Sequence, residues 1–567
     1  MCINKLQNDY LSIYTAYEES LWREEMGLGG DSPELYSKLQ EFLNDENVFQ
    51  LISSKIKACK KNTSEYFILN DWKNYLEKNR LNDREQACIR SLKTLESKHR
   101  EHVRKQIRSR GYPPIRELSS VISSSVHESE RAAAWGQLTE IEEMWMEGAF
   151  CEIINQRNYF AELRGYPDFY EYRVQYDEGI SKELLFLSLD NFVNNTNREC
   201  YKCVRDLALA HGESVLEGWN YRLVVPDSVS STLDEYFPPK IALLSWGRTM
   251  AALNIKFNGA SIKMDLSSRE EKSVNGFTSL IRPAISYEEF SPASINLSVV
   301  FPRGESGKGS MRATTELFHE GGHMAHYCNI IEPSVSSSCN VSHILAESQA
   351  AFFERFVSSP DWILRHGRAL DGKRPGSKEV REYCNRREAG RLLRIRDMLS
   401  VAYLEKAMYE LPREQVKPEN LRALAAEIDK KMTGLYSPTY PLFLVPHLYA
   451  FDSSASFHAY PMAEIIADSL WSTVVRNSFG SSGLQVIFDV WKSSGRGCIA
   501  DLLNSLSKKE YVGQYKRGFV DDFLKSVNWP NDFGIDAEIK VVSGDESIGT
   551  YCQGESFMQF CNKLDFE

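Results

Sequence analysis

HEGGHMAH, residues 319–326, lies within TTELFHEGGHMAHYCN (314–329), and the reading of this stretch decides the fold. Its flanks read as a helix, with Leu317, Phe318, Met324 and Ala325 among the apolar positions. Gly321 and Gly322 interrupt it, and each costs about 1 kcal/mol in a helix interior relative to alanine. His319 and His323 are four residues apart, so on a helix they project from one face, one turn apart. Two imidazoles so placed can reach one zinc ion. Glu320 lies beside that face, positioned to act as general base on the metal's water rather than as a ligand. The pattern is HExxH. Its glycines imply that another element, or the substrate, passes close to the helix.

A catalytic zinc needs a third protein ligand and one open position. HILAESQAAFFERF (343–356) supplies Glu347 on a second helical stretch, far enough beyond His323 for a connection and a crossing helix. Glu354, seven residues past Glu347, returns to the same helix face. Two readings of it stay open. It could hydrogen-bond the far nitrogen of a ligand histidine and fix its tautomer, or it could be an exposed helix charge. His326 completes HxxxHxxH, but its offset of three turns it off the ligand face. That favours a supporting or structural role over a fourth ligand.

The rest of the chain sets bounds. At 567 residues it exceeds the usual size of one core, so two or more lobes are expected. A formal charge of −11 argues against a general nucleic-acid binder, which needs basic patches. The first twenty residues lack a signal-peptide pattern, and no window reaches the length of a membrane-spanning helix. The twelve cysteines are scattered, with Cys200 and Cys203 an isolated CxxC read as structural. These features read as a cytoplasmic protein with reduced thiols.

Long amphipathic periodicity marks 130–165 and 378–411 as helical. The clearest strand is SINLSVVF (294–301), where Ile295, Leu297, Val299 and Phe301 alternate with Asn296, Ser298 and Val300. Pro302 ends it, and a loop from Gly304 to Gly309 leads to Ser310, the expected N-cap of the HEGGH helix. GESGKGS (304–310) does not satisfy the phosphate-loop pattern, because Gly309 follows Lys308. We divide the chain into an N-terminal helical region (1–195), a catalytic region (196–530) and an appended strand-and-turn segment (531–567).

Taken together, HEGGHMAH and AESQAAFFE resemble the zinc oligopeptidases of family M3, the thimet oligopeptidase and oligopeptidase F group. RNYFAELRGYPDFYEYR (157–173), KMDLSSREEKSVNGF (263–277), RLLRIRDMLSVAYLEKAMYE (391–410) and HLYAFDSSASFHAYPMAEIIAD (447–468) extend the resemblance over roughly 150–530. It implies a mainly α fold, two helical lobes enclosing a deep channel, with a small β-sheet beside the zinc helix. One zinc ion would sit on the channel floor, bound by His319, His323 and Glu347, and only short unstructured peptides would reach it. The strand 294–301 would pair with substrate backbone through Asn296, Ser298 and Val300. His447 and Tyr460 match the family's histidine and last tyrosine, which stabilise the tetrahedral intermediate. Where relatives often carry paired tyrosines this chain has Phe457 and His458, so either Tyr460 and His458 provide the donors or turnover is weakened. The expected activity is a monomeric metalloendopeptidase. A metallocarboxypeptidase of family M32 is the nearest rival, since its HESQSRLWEN also resembles AESQAAFFERF. An inactive peptide-binding scaffold is the rival from another class.

Overall fold

The structure, a computed structural model, describes residues 3–225, 232–273, 275–302, 309–435, 441–476, 491, 496–507 and 518–566. Four helices, α1 (Ile3–Glu25), α2 (Ser32–Asn44), α3 (Glu46–Ala58) and α4 (Ser64–Asn79), close around Tyr10 and Trp72. Next come α5 (Asp83–Ser109), α6 (Ile115–Ser124), α7 (Glu128–Met146), α8 (Phe150–Leu163), α9 (Phe169–Glu178), α10 (Lys182–His211), α11 (Gly218–Val224) and α12 (Pro239–Ala252). The helical periodicity of 130–165 is realised as two helices, α7 and α8. Gly148 separates them at φ +71°, a left-handed position that glycine takes without strain.

Five strands form one mixed sheet in the order β2-β3-β1-β4-β5. They are β1 (Ala260–Asp265), β2 (Phe277–Arg282), β3 (Ser294–Ser298), β4 (Ala537–Ser543) and β5 (Glu546–Tyr551). β1 runs parallel to both β3 and β4, while β2 and β5 are antiparallel to their neighbours. The segment 531–567 is therefore woven into the fold, because β4 pairs along the whole of β1.

The strand expected over 294–301 is β3, and it does not border a cleft. β2 and β1 pair with it on both sides, leaving no free edge for a substrate. Asn296 and Ser298 are buried, and Asn296 Nδ2 donates to Glu19 Oε2 at 2.9 Å. Val300 lies beyond the last paired residue. The expected substrate contacts at Asn296, Ser298 and Val300 are thus corrected. Alternation reveals a strand but not its neighbours, and β2 holds the edge.

Beyond the sheet come α13 (Met311–Asn329), α14 (Val335–Ser338), α15 (His343–Val357), α16 (Pro360–His366), α17 (Ser377–Ala389), α18 (Arg391–Glu410), α19 (Pro418–Thr433) and α20 (Ala459–Arg476). The periodicity of 378–411 is again split, here at Gly390 between α17 and α18. α13 lies against β2 and β3 and buries Leu317, Phe318, Met324 and Ala325. α15 packs against both α13 and α20. Both metal-motif helices start on serine caps: Ser310 Oγ accepts from Ala313 N at 3.1 Å, and Ser342 Oγ from Leu345 N at 3.2 Å. Residues 303–308 of the glycine-rich loop fall outside the described residues. No helix among the described residues is long and apolar enough to cross a membrane.

Candidate active site

α13 and α15 cross where both glycines lie. A Cβ on Gly322 would stand 2.9 Å from Ala350 Cα and 3.1 Å from Gln349 O, so α15 rests directly on this backbone. A Cβ on Gly321 would stand 2.2 Å from Trp246 Nε1 of α12. The helix forgoes side chains because α15 presses on one side and a buried indole on the other.

That contact brings Glu347 to the histidines. Ligating atoms of His319, His323 and Glu347 all lie within 4.8 Å of one another, the one such group of three among the described residues. Glu347 Oε2 sits 3.3 Å from His319 Nε2 but makes no hydrogen bond of acceptable geometry, and it is buried. Three donors of the types that bind a divalent metal thus converge with a buried carboxylate oxygen left unsatisfied, and the set fits a catalytic ion with an open position. Burial pushes the Glu347 carboxyl up, but His319 and His323 outweigh it and hold it at about 2. Burial drives His323 down to about 4, which keeps it neutral and able to ligate.

Glu354 lies beside the first histidine. His319 Nδ1 and Glu354 Oε1 are 2.6 Å apart, which leaves His319 Nε2 turned toward Glu347. Behind it, Arg387 Nη2 lies 3.8 Å from Glu354 Oε2 and extends the chain of charge one step further. Glu354→Gln is expected to weaken metal affinity by about 10- to 100-fold, read by competition with a chromogenic chelator.

Glu320 reaches β2. Thr278 Oγ1 donates to its Oε2 at 2.8 Å and to its carbonyl oxygen at 3.1 Å. Burial pushes the Glu320 carboxyl up to about 7. Sequence reading did not find Thr278, since the bond crosses from a strand 42 residues upstream.

The triad and Glu320 open into a cavity of about 890 Å³. Its lining includes His447 and Tyr460, whose Nε2 and hydroxyl are 3.2 Å apart. Asn275, Gly276, Phe277 and Thr278, at the start of the edge strand β2, line the same cavity. So do His343, Tyr327 and Tyr383, which sequence reading passed over. Tyr327 follows His323 by one turn and stacks on it at 16° between ring planes, a neighbour that the i,i+4 spacing could have shown.

Two expected residues are elsewhere. His458 is buried away from the cavity, with its Nδ1 3.1 Å from Tyr170 Oη and its Nε2 without a partner. Two residues from Tyr460 at a helix start, it faces the opposite way, toward α9, and its assignment as an oxyanion donor is corrected. His326 is fully buried against the ring of Trp491, and neither of its nitrogens is hydrogen-bonded. It is a core residue and supports no ligand directly.

With this geometry in place, comparison with known proteins is decisive over the middle of the chain. The profile of peptidase family M3 matches residues 256–488. Residues 256–488 are similar to the M3 peptidases. That segment holds β1 to β3, the triad, Glu320, His447 and Tyr460. No curated protein matches the chain by sequence. Solved structures share the fold across nearly its whole length. A Pyrococcus furiosus carboxypeptidase aligns at TM-score 0.57 and 15% identity, covering 92% of this chain and 98% of its own. A protein assigned as oligoendopeptidase F aligns at 0.58 and 12%, covering 93% and 96%. PZ peptidase A, solved with an inhibitor, aligns at 0.55 and 13%, covering 93% and 98%. The mainly helical architecture with its small sheet beside the motif helix is shared with these solved peptidases.

Proposed function

We propose that the chain is a zinc-dependent oligopeptidase that hydrolyses internal bonds of short, unstructured peptides. One observation carries the reading. The His319–His323–Glu347 triad and Glu320 face the His447–Tyr460 pair across a single cavity. His319, His323 and Glu347 would hold the metal, which when bound supplies Lewis-acid polarisation of the scissile carbonyl and acidifies water. Glu320, steadied by Thr278, takes the proton of the attacking water and hands it to the leaving amine. His447 Nδ1 has no hydrogen-bond partner among the described residues, which suits a tautomer whose Nε2–H donates to the Tyr460 oxygen. The phenol proton is then free for the oxyanion. The edge of β2 at Phe277 and Thr278 takes the part first assigned to 294–301 and pairs with substrate backbone.

A second reading, carboxypeptidase action, is favoured by the equal likeness to the Pyrococcus furiosus carboxypeptidase. Incubation with a quenched fluorescent peptide should show cleavage that a chelator abolishes and added zinc restores. A ladder losing one C-terminal residue at a time would favour the carboxypeptidase, and no cleavage with zinc loaded would favour the scaffold. Tyr460→Phe should lower kcat by about 10²- to 10³-fold in the same assay.

A further inference from the structure

We propose that Glu405 is a positioning residue for the His447–Tyr460 pair, fixing the loop that carries the pair in its working geometry. The claim rests on the reading of Tyr460 given above. Residues 443–458 form two short 3-10 helical turns and a loop, yet they bring one member of the pair and lead directly into the helix bearing the other. Without a ladder of its own, such a segment needs its backbone groups satisfied from outside.

Charged side chains from five helices do this. Glu142 of α7 accepts from Phe443 N at 2.9 Å, and Arg157 of α8 donates to Leu448 O at 2.7 Å. Arg100 and Glu96 of α5 take Tyr449 O at 2.8 Å and Phe451 N at 3.1 Å. Arg173 of α9 donates to Asp452 O at 2.9 Å. Glu405 of α18 closes the series, accepting from Ala455 N at 2.7 Å and Phe457 N at 3.2 Å.

Glu405 differs from the charge-paired members of this series in two ways, and from Glu142, which likewise has no ion pair among the described residues, in being fully buried. Arg157 and Glu96 compensate each other in a buried ion pair, and Arg173 pairs with Asp177. Glu405 is fully buried and, among the described residues, makes no ion pair. Both of its oxygens are spent on loop amides. An unpaired buried carboxyl is costly, and burial pushes this one up to about 7. It also grips the loop at its most strained point, because Ala455 holds φ +58°, a region non-glycine residues rarely occupy. The connection onward is short. Phe457, whose N–H Glu405 holds, accepts from Tyr460 N at 3.2 Å through its carbonyl. A shift of the turn at 455–457 therefore moves the Tyr460 hydroxyl relative to the triad.

The test is a double-mutant cycle on zinc-loaded protein, with Glu405→Leu, Glu405→Gln, Tyr460→Phe and the combinations. Glu405→Leu should lower kcat about 10²-fold with KM changed less than about 3-fold, and Glu405→Gln, which keeps one acceptor, should fall between it and the parent. Tyr460→Phe should cost less than about 3-fold further once Glu405 is leucine. Amide hydrogen exchange should quicken across 445–460 while 311–329 and 343–357 stay protected. Losses that multiply independently, or exchange that quickens through α18 and α20 alike, would overturn the proposal in favour of a plain core role. Should Glu405→Leu not fold, the glutamine variant runs the same cycle. Full activity of Tyr460→Phe would remove the reading of Tyr460 and the catalytic claim with it. Unchanged exchange at 445–460 with Tyr460 still required would remove the positioning claim alone.

Discussion

Glu320→Gln is expected to lower peptide turnover by about 10²- to 10⁴-fold while leaving one zinc per chain. Glutamine keeps the shape and can still accept from Thr278, so the cavity should be undisturbed. What it cannot do is receive a proton from water and deliver it to the amine. Loss of zinc together with activity would mean that Glu320 serves binding instead. Substantial residual hydrolysis would place the base elsewhere, and His343, which lines the same cavity, would be the next candidate. Metal content by atomic absorption, measured beside single-turnover rates, separates these outcomes.

Gly322→Leu should damage the site without touching a ligand. The new side chain would begin 2.9 Å from Ala350 Cα and 3.1 Å from the Phe353 ring, where only backbone or packed core could yield. Overpacking of this kind costs about 1–3 kcal/mol, and the simplest relief is to push α15 away from α13. Glu347 rides on α15 one turn before Ala350, so it would leave the histidines. A lowered melting temperature, zinc that dialyses away and lost activity are expected together. Gly136→Ala on α7 is the control: a Cβ there would meet nothing within 4 Å, so the melting temperature should hold or rise. A Gly322→Leu protein that kept full activity and metal would refute the close-packing account.

The convergence of His319, His323 and Glu347 is legible because it rests on local periodicity. His319 and His323 share a helix face by spacing, Glu347 and Glu354 share another, and the two helices have one obvious way to meet. The glycines announce the crossing, although not that Trp246 stands behind one of them. Illegible are the contacts made across long stretches of chain. Thr278 reaches Glu320 through strand order, which sets β2 beside β3, β3 beside β1 and β1 beside β4. For that reason alternation alone makes the interior strand β3 look like an edge, and 531–567 look like an appendage. His458 fails differently. A position aligned with a functional residue need not share its direction, and at the first turn of α20 two residues are enough to reverse it.

The placement of β4 also orders the making of the protein in time. β1 pairs on one side with β3, some 30 residues later, and on the other with β4, about 270 residues later. During synthesis the triad helices are complete long before the sheet beneath them is closed. Until residues 537–543 arrive, β1 presents a bare parallel edge, the kind of surface that invites stray pairing with other chains. A chain that stops short of β4 keeps that edge of β1 unpaired.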